Sequence, residues 1–81
     1  VVKDNVEAVK WYRKAAEQGN TEAQYTLGGV YYSGRGVTKD YVEAYKWYNL
    51  ASAQGHEKAK KNKERAAKRI TAEQIAEAQK R

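Results

Sequence analysis

The stretch from Gly29 to Gly36 contains the residue types of a phosphate-binding loop. Gly29 and Gly34 have the spacing of the two glycines in the P-loop pattern G-x-x-x-x-G-K-[ST], whose backbone N–H groups cradle phosphate oxygens. Arg35 and Gly36, however, stand where that pattern needs lysine and then serine or threonine. A P-loop also follows a strand, whereas Gly29 falls inside a helical pattern. We therefore interpret these glycines as a helix stop and a turn.

The other residues with chemical potential are too isolated to predict an active site. His56 is the one histidine and the chain has no cysteine, so we expect His56 to be a surface or capping residue rather than a metal ligand. Glu73 and Glu77 lie one turn apart on a polar helix, whereas acid–base catalysis needs carboxylates in an apolar pocket. Ser33 and Ser52 have no histidine at a suggestive position. We predict no enzyme activity, no cofactor, no metal and no small-molecule substrate.

Composition limits the chain to one small domain. It has 81 residues, a net charge of +6 and 32% charged residues. Valine, leucine, isoleucine and phenylalanine total only 11 residues, which alone would suggest disorder, but the periodicity of the sequence argues for a fold. No apolar run approaches the ~20 residues of a membrane span. The positive charge favours acidic partners, and nothing in the sequence indicates a localisation.

The sequence repeats itself after 36 residues. Residues 1–12 align with 37–48 at nine identical positions of 12, and the register gives 13 identities over the first 24 positions. It pairs Trp11 with Trp47 and Tyr12 with Tyr48. A period between about 20 and 50 residues is typical of a solenoid built from stacked helical units.

Each unit has the pattern of helices with defined ends. Asp4 and Asp40 each stand three residues before a glutamate, as in a capping box, and apolar residues follow at helical spacing. Gly19 and Gly55 stand where a glycine ends each of these helices. We predict five helices and no strand. Their bounds are Asp4 to Gly19, Asn20 or Thr21 (with Gln24 completing a box) to Gly34, Asp40 to Gly55, Glu57 to Arg69, and Thr71 (with Gln74) onward.

The second unit resembles a known family. Residues from Glu22 to Ala51 match the pattern EAQ..LG..Y..G.GV..D..EA..WY..A, which is similar to the Sel-one-like repeat, a relative of the tetratricopeptide repeat. Residues 70–79 resemble the segment that closes many bacterial members. The resemblance implies an all-α fold, an α/α superhelix (solenoid) of antiparallel helix pairs. It also implies a non-enzymatic adaptor or scaffold that binds proteins or peptides on its concave face.

The resemblance also implies the organisation of the chain. Residues 1–20 are the second helix of a repeat, 21–55 a complete repeat, and 56–81 C-terminal capping helices. Lys63 and Glu64 replace Leu27 and Gly28 of the full repeat, so the last unit is a degenerate cap. Because stacked repeats generally need about three units, we expect either further repeats upstream of Val1 or a homo-oligomer that covers the first helix.

The aromatic residues at the repeat period are predicted to be core residues. Trp11, Tyr12, Trp47 and Tyr48 recur on the apolar stripe, which favours core packing over stacking platforms for single-stranded nucleic acid. Gly28 is expected to permit a close helix approach. Tyr25 and Tyr32 lie beside the stripe and could belong to core or surface.

The resemblance also implies a partner-binding groove. The first helix of each pair lines the concave surface of a tetratricopeptide-type superhelix, and the register places the lysine-rich helix there. An acidic peptide or a chain carboxylate would suit such a groove. Two alternatives remain open: a solvated outer face of a terminal helix, and a nucleic-acid-binding module that uses basic helix 58–69. The candidate partner-binding residues are Glu22, Tyr25, Gly29, Tyr32, Ser33, Lys58, Lys61, Arg65, Lys68 and Arg69.

Overall fold

Five helices account for nearly all of the described chain. A computed structural model describes the backbone of residues 2–80 and the side chains of residues 6–80. Within that range there is no strand, so the all-α, five-helix prediction is confirmed. Helix α2 packs against α1 and α3, and α3 also packs against α4 and α5. The helices are α1 (Val2–Glu17), α2 (Thr21–Ser33), α3 (Tyr41–Ala53), α4 (Glu57–Ala67) and α5 (Ala72–Lys80).

Three helix starts are capped by the predicted side chains. The Asp40 carboxylate accepts hydrogen bonds from the backbone N–H groups of Val42 and Glu43, at 3.0 and 3.1 Å. Thr71 and Gln74 form a reciprocal capping box. Asn20 caps α2 by accepting from the N–H of Ala23 at 2.9 Å. These caps satisfy N–H groups that have no partner within the helix.

For α1 and α2, the capping boxes that the sequence predicts differ from what the structure describes. Helix α1 begins at Val2, upstream of Asp4, whose side chain lies outside the described residues. Gln24 is buried and does not turn back to cap α2; its amide N–H donates to the carbonyl of Ala16 at 3.1 Å. Its amide oxygen accepts from Gln54 at 2.8 Å. Gln24 thus satisfies a carbonyl at the end of α1, which needs a partner more than the already capped start of α2.

The stretch from Gly29 to Gly36 is a helix end and a turn. Gly34 ends α2 in a left-handed conformation, φ 77°, and its N–H donates to the carbonyl of Val30 at 2.8 Å. Gly19 and Gly55 also have positive φ values, so the predicted stops are confirmed. Because a helix rather than a strand precedes the loop, the phosphate-loop pattern has no structural basis here.

The core lies around α3 and is built from small and aromatic side chains. Leu27, Ala44 and Ala59 are fully buried, and Trp47 is 3% exposed. The sequence prediction was wrong for the first unit, because Trp11 is 67% exposed. Three helices surround α3, whereas α1 packs mainly on α2 and leaves its outer face uncovered within residues 2–80.

Tyr12 is also exposed, at 38%, and was likewise wrongly predicted to be a core residue. Tyr48, at the equivalent position of the next repeat, is buried as predicted. The ring of Tyr48 lies against Gly28, where the predicted close approach is present. Among the described residues, no helix is long and apolar enough to cross a membrane.

Candidate functional site

Helices α2 and α4 meet along one face through an aromatic and amide cluster. The ring of Tyr25 stacks on that of His56, with centroids 4.4 Å apart and planes 22° apart. The side-chain amide of Asn62 donates to the Tyr25 hydroxyl at 3.4 Å, and the Tyr48 ring lies 5.9 Å from the Tyr25 ring. Side chains from α2, α3 and α4 therefore converge at this point.

One turn further along α4, a small cavity opens between the helices. Tyr32, Asn62 and Arg65 line it, and its volume is about 70 Å³. Burial raises the pKa of the nearby Tyr48 to about 12, and Tyr25 and Tyr32 act in the same direction. The Asn62 hydrogen bond and the Arg65 guanidinium lower that pKa, but less strongly. The Tyr48 hydroxyl is therefore protonated at neutral pH and lies close to an arginine.

The end of this face carries a second arginine. The Arg69 guanidinium lies 5.8 Å from the centroid of the Tyr41 ring, and the ring of Tyr32 meets that of Tyr41 edge-on at 5.1 Å. Lys39 also lies 5.8 Å from the Tyr41 centroid. Cation–π contacts at such distances favour an ordered side chain. We refer to Tyr25, Tyr32, Tyr41, Asn62, Arg65 and Arg69 together as the α2–α4 face.

The arginines of the α2–α4 face have no acidic partner in the described part of the chain. There, an ion pair joins Glu7 to Lys10 at 3.7 Å, and Nε2 of the neutral His56 ring donates to the Glu22 carboxylate at 3.1 Å. Neither contact involves Arg65 or Arg69. As far as residues 6–80 are concerned, their guanidinium groups can bind an external anion without first breaking either of these contacts.

Comparisons with known proteins bear on what such a face does. The family model of the Sel1 repeat matches residues 1–20 and 21–56, which is more than half of the chain. The chain belongs to the Sel1 repeat family. No match to a curated protein reaches significance.

A solved structure gives the same result for the fold. The structure is c5321, a protective antigen present in uropathogenic Escherichia coli strains and displaying an SLR fold. It superimposes with a TM-score of 0.89 and 43% sequence identity over 94% of this chain. The chain spans only 16% of the length of that antigen. The predicted helical solenoid is confirmed, and Sel1 repeats generally mediate protein–protein interactions and are typically non-enzymatic.

The structure brings together five of the predicted partner-binding residues of this Sel1 chain. Tyr25, Tyr32, Arg65 and Arg69 lie on the α2–α4 face, and Glu22 joins it through His56.

The other predicted residues lie elsewhere. The Ser33 hydroxyl donates to the carbonyl of Gly29 at 2.9 Å, and both residues line a different cavity. Lys58, Lys61 and Lys68 are exposed, with no described contact to the cluster. By the 36-residue register, Lys61 and Lys68 occupy the positions of Tyr25 and Tyr32, whose rings contact the following helices.

The sequence-based candidates did not include Asn62. Its side chain nevertheless bonds to Tyr25 and lines a cavity with Tyr32 and Arg65. Asn62 is uncharged, so a pattern of basic residues at helical spacing does not include it. A usable signal was present: Asn62 stands four residues after Lys58 and three before Arg65, on the same helical stripe.

The cavity that contains Ser33 shares two lining positions with the Asn62 cavity by the 36-residue register. Thr26, Gly29, Val30, Ser33 and Arg35 line it, with a volume of about 340 Å³. The register aligns Thr26 with Asn62 and Gly29 with Arg65. Arg35 lines the first cavity and Arg65 the second, but these two arginines do not occupy equivalent positions of the repeat.

His56 is a helix cap that also links the two Sel1 units. Its Nδ1 accepts from the backbone N–H of Ala59 at 3.1 Å, so the neutral ring carries its proton on Nε2. That Nε2 lies 3.1 Å from the Glu22 carboxylate. His56 therefore fixes the start of α4 and the position of Tyr25.

Replacing His56 should separate these two roles. His56→Ala removes the cap and the ring stacked on Tyr25, and we expect a loss of about 0.5–2 kcal/mol in the free energy of unfolding. His56→Asn keeps a good cap but lacks the ring, so it should recover most of that stability. Urea denaturation followed by circular dichroism measures both. Equal losses in the two variants would show that stacking on Tyr25, not capping, is the main contribution.

Proposed function

We propose that this chain is a protein-binding adaptor that holds an acidic peptide segment on the α2–α4 face. The observation that carries the proposal is the pair Arg65 and Arg69, set beside tyrosine rings with no acidic partner in the described chain. The membership in a family that generally mediates protein–protein interactions supports the class of partner. The net charge of +6 favours a partner that is negatively charged.

The chemistry of this face suits a carboxylate on a peptide. A guanidinium presents paired N–H donors that match the two oxygens of a carboxylate, which a lysine ammonium does not. The Asn62 amide and the tyrosine hydroxyls can bond to polar groups of the peptide backbone. Tyrosine rings also offer contact area at a low cost in side-chain entropy. These features together favour an ordered peptide over a diffuse ionic contact.

The alternative interpretation is that α4 is a terminal helix whose positive charge serves only solubility. In that case every cation on α4 would be equivalent. The two interpretations differ in whether the position of the positive charge around the helix matters, because a specific face needs Arg65 and a solvated helix does not.

Neutralising Arg65 should therefore weaken binding more than neutralising a lysine elsewhere on α4. We expect Arg65→Gln to reduce the affinity for a glutamate-rich peptide about tenfold, since a hydrogen bond to a charged group contributes about 1.5–3 kcal/mol. Lys60→Gln removes the same charge about 140° away around the helix and should change the affinity by less than about twofold. Fluorescence anisotropy with a labelled peptide measures both.

Two results would redirect this proposal. Equal effects of Arg65→Gln and Lys60→Gln would indicate a charged, solvated helix. A strong preference for one nucleic-acid sequence or strand form in an electrophoretic shift would favour the nucleic-acid module. Weak, salt-sensitive retardation of every nucleic acid would report only net charge.

A second surface supports the expectation that α1 is covered in the working protein. Trp11, with Glu7, Lys10 and Lys14 around it, lines an open cavity of about 260 Å³. Lys14 lies 5.5 Å from the Trp11 ring centroid. The corresponding face of α3 is covered by neighbouring helices, so we propose that a further repeat or a second copy of the chain covers α1 in the same way.

A further inference from the structure

We infer that a groove between α1 and α2 binds an amphipathic helix of the same type as α2, with a glycine of that helix against Tyr12. The inference rests on the proposal that α1 is covered in the working protein, and it adds the chemistry of the helix that covers it. It comes from the repeat, because α2 itself occupies the equivalent place one period later, against α3 and α4.

Two cavities join to form this groove. One has a volume of about 180 Å³ and lies between α1 and α2, and the other, of about 340 Å³, continues along α2. Both are lined by Thr26, Val30 and Arg35, so the groove is continuous. Ala8 and Tyr12 form its wall on α1, and Thr26 and Val30 form its wall on α2. We refer to it as the α1–α2 groove.

The α1 wall of this groove has a buried equivalent in the next unit. The register aligns Tyr12 with Tyr48 of α3, which is 4% exposed, whereas Tyr12 is 38% exposed. It aligns Ala8 with Ala44, which is fully buried. Gly28 of α2 lies so close to the Tyr48 ring that a Cβ there would stand 2.7 Å from ring carbons. The surface at Tyr12 is therefore that of a helix contact.

The α2 wall of the groove also has an equivalent that contacts α2. The register aligns Thr26 with Asn62 of α4, whose amide donates to the hydroxyl of Tyr25 on α2 at 3.4 Å. It aligns Val30 with Ala66, which is fully buried. Both walls of the α1–α2 groove thus correspond to surfaces that α2 covers one unit later. Helix α2 is therefore the template for the helix that fits the groove.

The contacts of α2 specify what such a helix carries. Gly28 admits the Tyr48 ring, and Tyr25, three residues earlier, packs on the same ring with centroids 5.9 Å apart. A helix in the α1–α2 groove therefore needs a glycine against Tyr12 and a tyrosine three residues before it. The hydroxyl of that tyrosine can bond to the Thr26 hydroxyl. The binding pattern is Tyr-x-x-Gly, and a bulky residue in place of the glycine would collide with the Tyr12 ring.

A peptide with the sequence of α2 tests the inference. The probe is residues 20–34 of this chain, blocked at both ends and labelled with a fluorophore, and its matched control carries Gly28→Leu. We expect saturable binding of the unmodified peptide and binding of the control that is about tenfold weaker or more, because leucine collides with Tyr12. Leucine is the better helix former, so a weaker control cannot be attributed to lost helix propensity. Fluorescence anisotropy measures both affinities.

Variants of the protein locate the site. Tyr12→Ala removes the ring that receives the glycine, and Thr26→Arg fills the opposite wall, so each should weaken peptide binding about tenfold or more. Arg65→Gln, on the α2–α4 face, should change the affinity by less than about twofold. Circular dichroism checks that each variant keeps its helical signal. Tyr12 is partly exposed, so Tyr12→Ala tests the site even if Thr26→Arg does not fold.

The outcomes separate this inference from the proposed function. Equal affinities of the two peptides, or no binding of either, would overturn the inference. Binding that survives both Tyr12→Ala and Thr26→Arg would also overturn it and would indicate that the peptide replaces α2 in its own site. Concentration-dependent association of the chain alone, abolished by Tyr12→Ala, would identify a second copy as the cover of α1. Binding of glutamate-rich peptides by the α2–α4 face depends on Arg65 and is measured independently of these results.

Discussion

Trp47→Ala should unfold most of the protein at 25 °C. Trp47 is 3% exposed in the centre of the fold, and truncating a buried tryptophan to alanine costs about 3–5 kcal/mol. A domain of this size has a total stability of roughly 3–5 kcal/mol, so the loss is comparable with the whole. Circular dichroism at neutral pH should show a large loss of helical signal. A milder variant, Trp47→Phe, keeps a measurable transition and also removes the buried indole N–H, which has no hydrogen-bond partner among the described residues.

Trp11→Ala is the matched control, because the same residue type stands at the same repeat position. Trp11 is 67% exposed, so its removal should change the free energy of unfolding by no more than about 0.5 kcal/mol. Acrylamide should quench the fluorescence of Trp11 and leave that of Trp47 largely unquenched. A loss after Trp11→Ala as large as that after Trp47→Ala, with a lower sedimentation coefficient, would show that a second copy covers α1.

Trp11 and Trp47 also show which features of the fold the sequence predicts well and which it predicts poorly. Helix number, caps and stops depend on local chemistry, so Asp40, Gly34 and the Thr71–Gln74 box could be identified from spacing alone. The repeat predicts equivalent positions, but burial depends on the neighbours of each unit. Trp11 and Trp47 share a register and differ in exposure because α1 lacks the neighbours of α3.

The site was harder to predict than the fold because its residues meet across helices. Gln24 fits a capping box in sequence, yet its amide bonds to Ala16 and Gln54, which are distant in the chain. Asn62 is uncharged and was passed over, although it contacts Tyr25. Side-chain direction at an interhelical contact depends on which partners are within reach, and a helical stripe alone cannot supply that information.

Gly28→Ala should destabilise the protein even though alanine is the better helix former. A Cβ at Gly28 would stand 2.7 Å from both Cδ1 and Cε1 of Tyr48. The Tyr48 ring is only 4% exposed and is enclosed by α2 and α4, so it has little room to move. Overpacking of this kind costs about 1–3 kcal/mol, which exceeds the gain of up to about 1 kcal/mol from helix propensity. Gly28→Leu should cost more than Gly28→Ala.

Gly29→Ala is the control for Gly28→Ala, in the next position of the same helix. A Cβ at Gly29 meets only the Tyr48 hydroxyl at 3.4 Å, an ordinary contact, so the substitution should stabilise the protein by about 0.5–1 kcal/mol. Thermal denaturation of the two variants should therefore shift the midpoint in opposite directions. Stabilisation by both substitutions would mean that the Tyr48 ring moves aside easily, and Gly28 would then not be a close contact that holds α2 against α3.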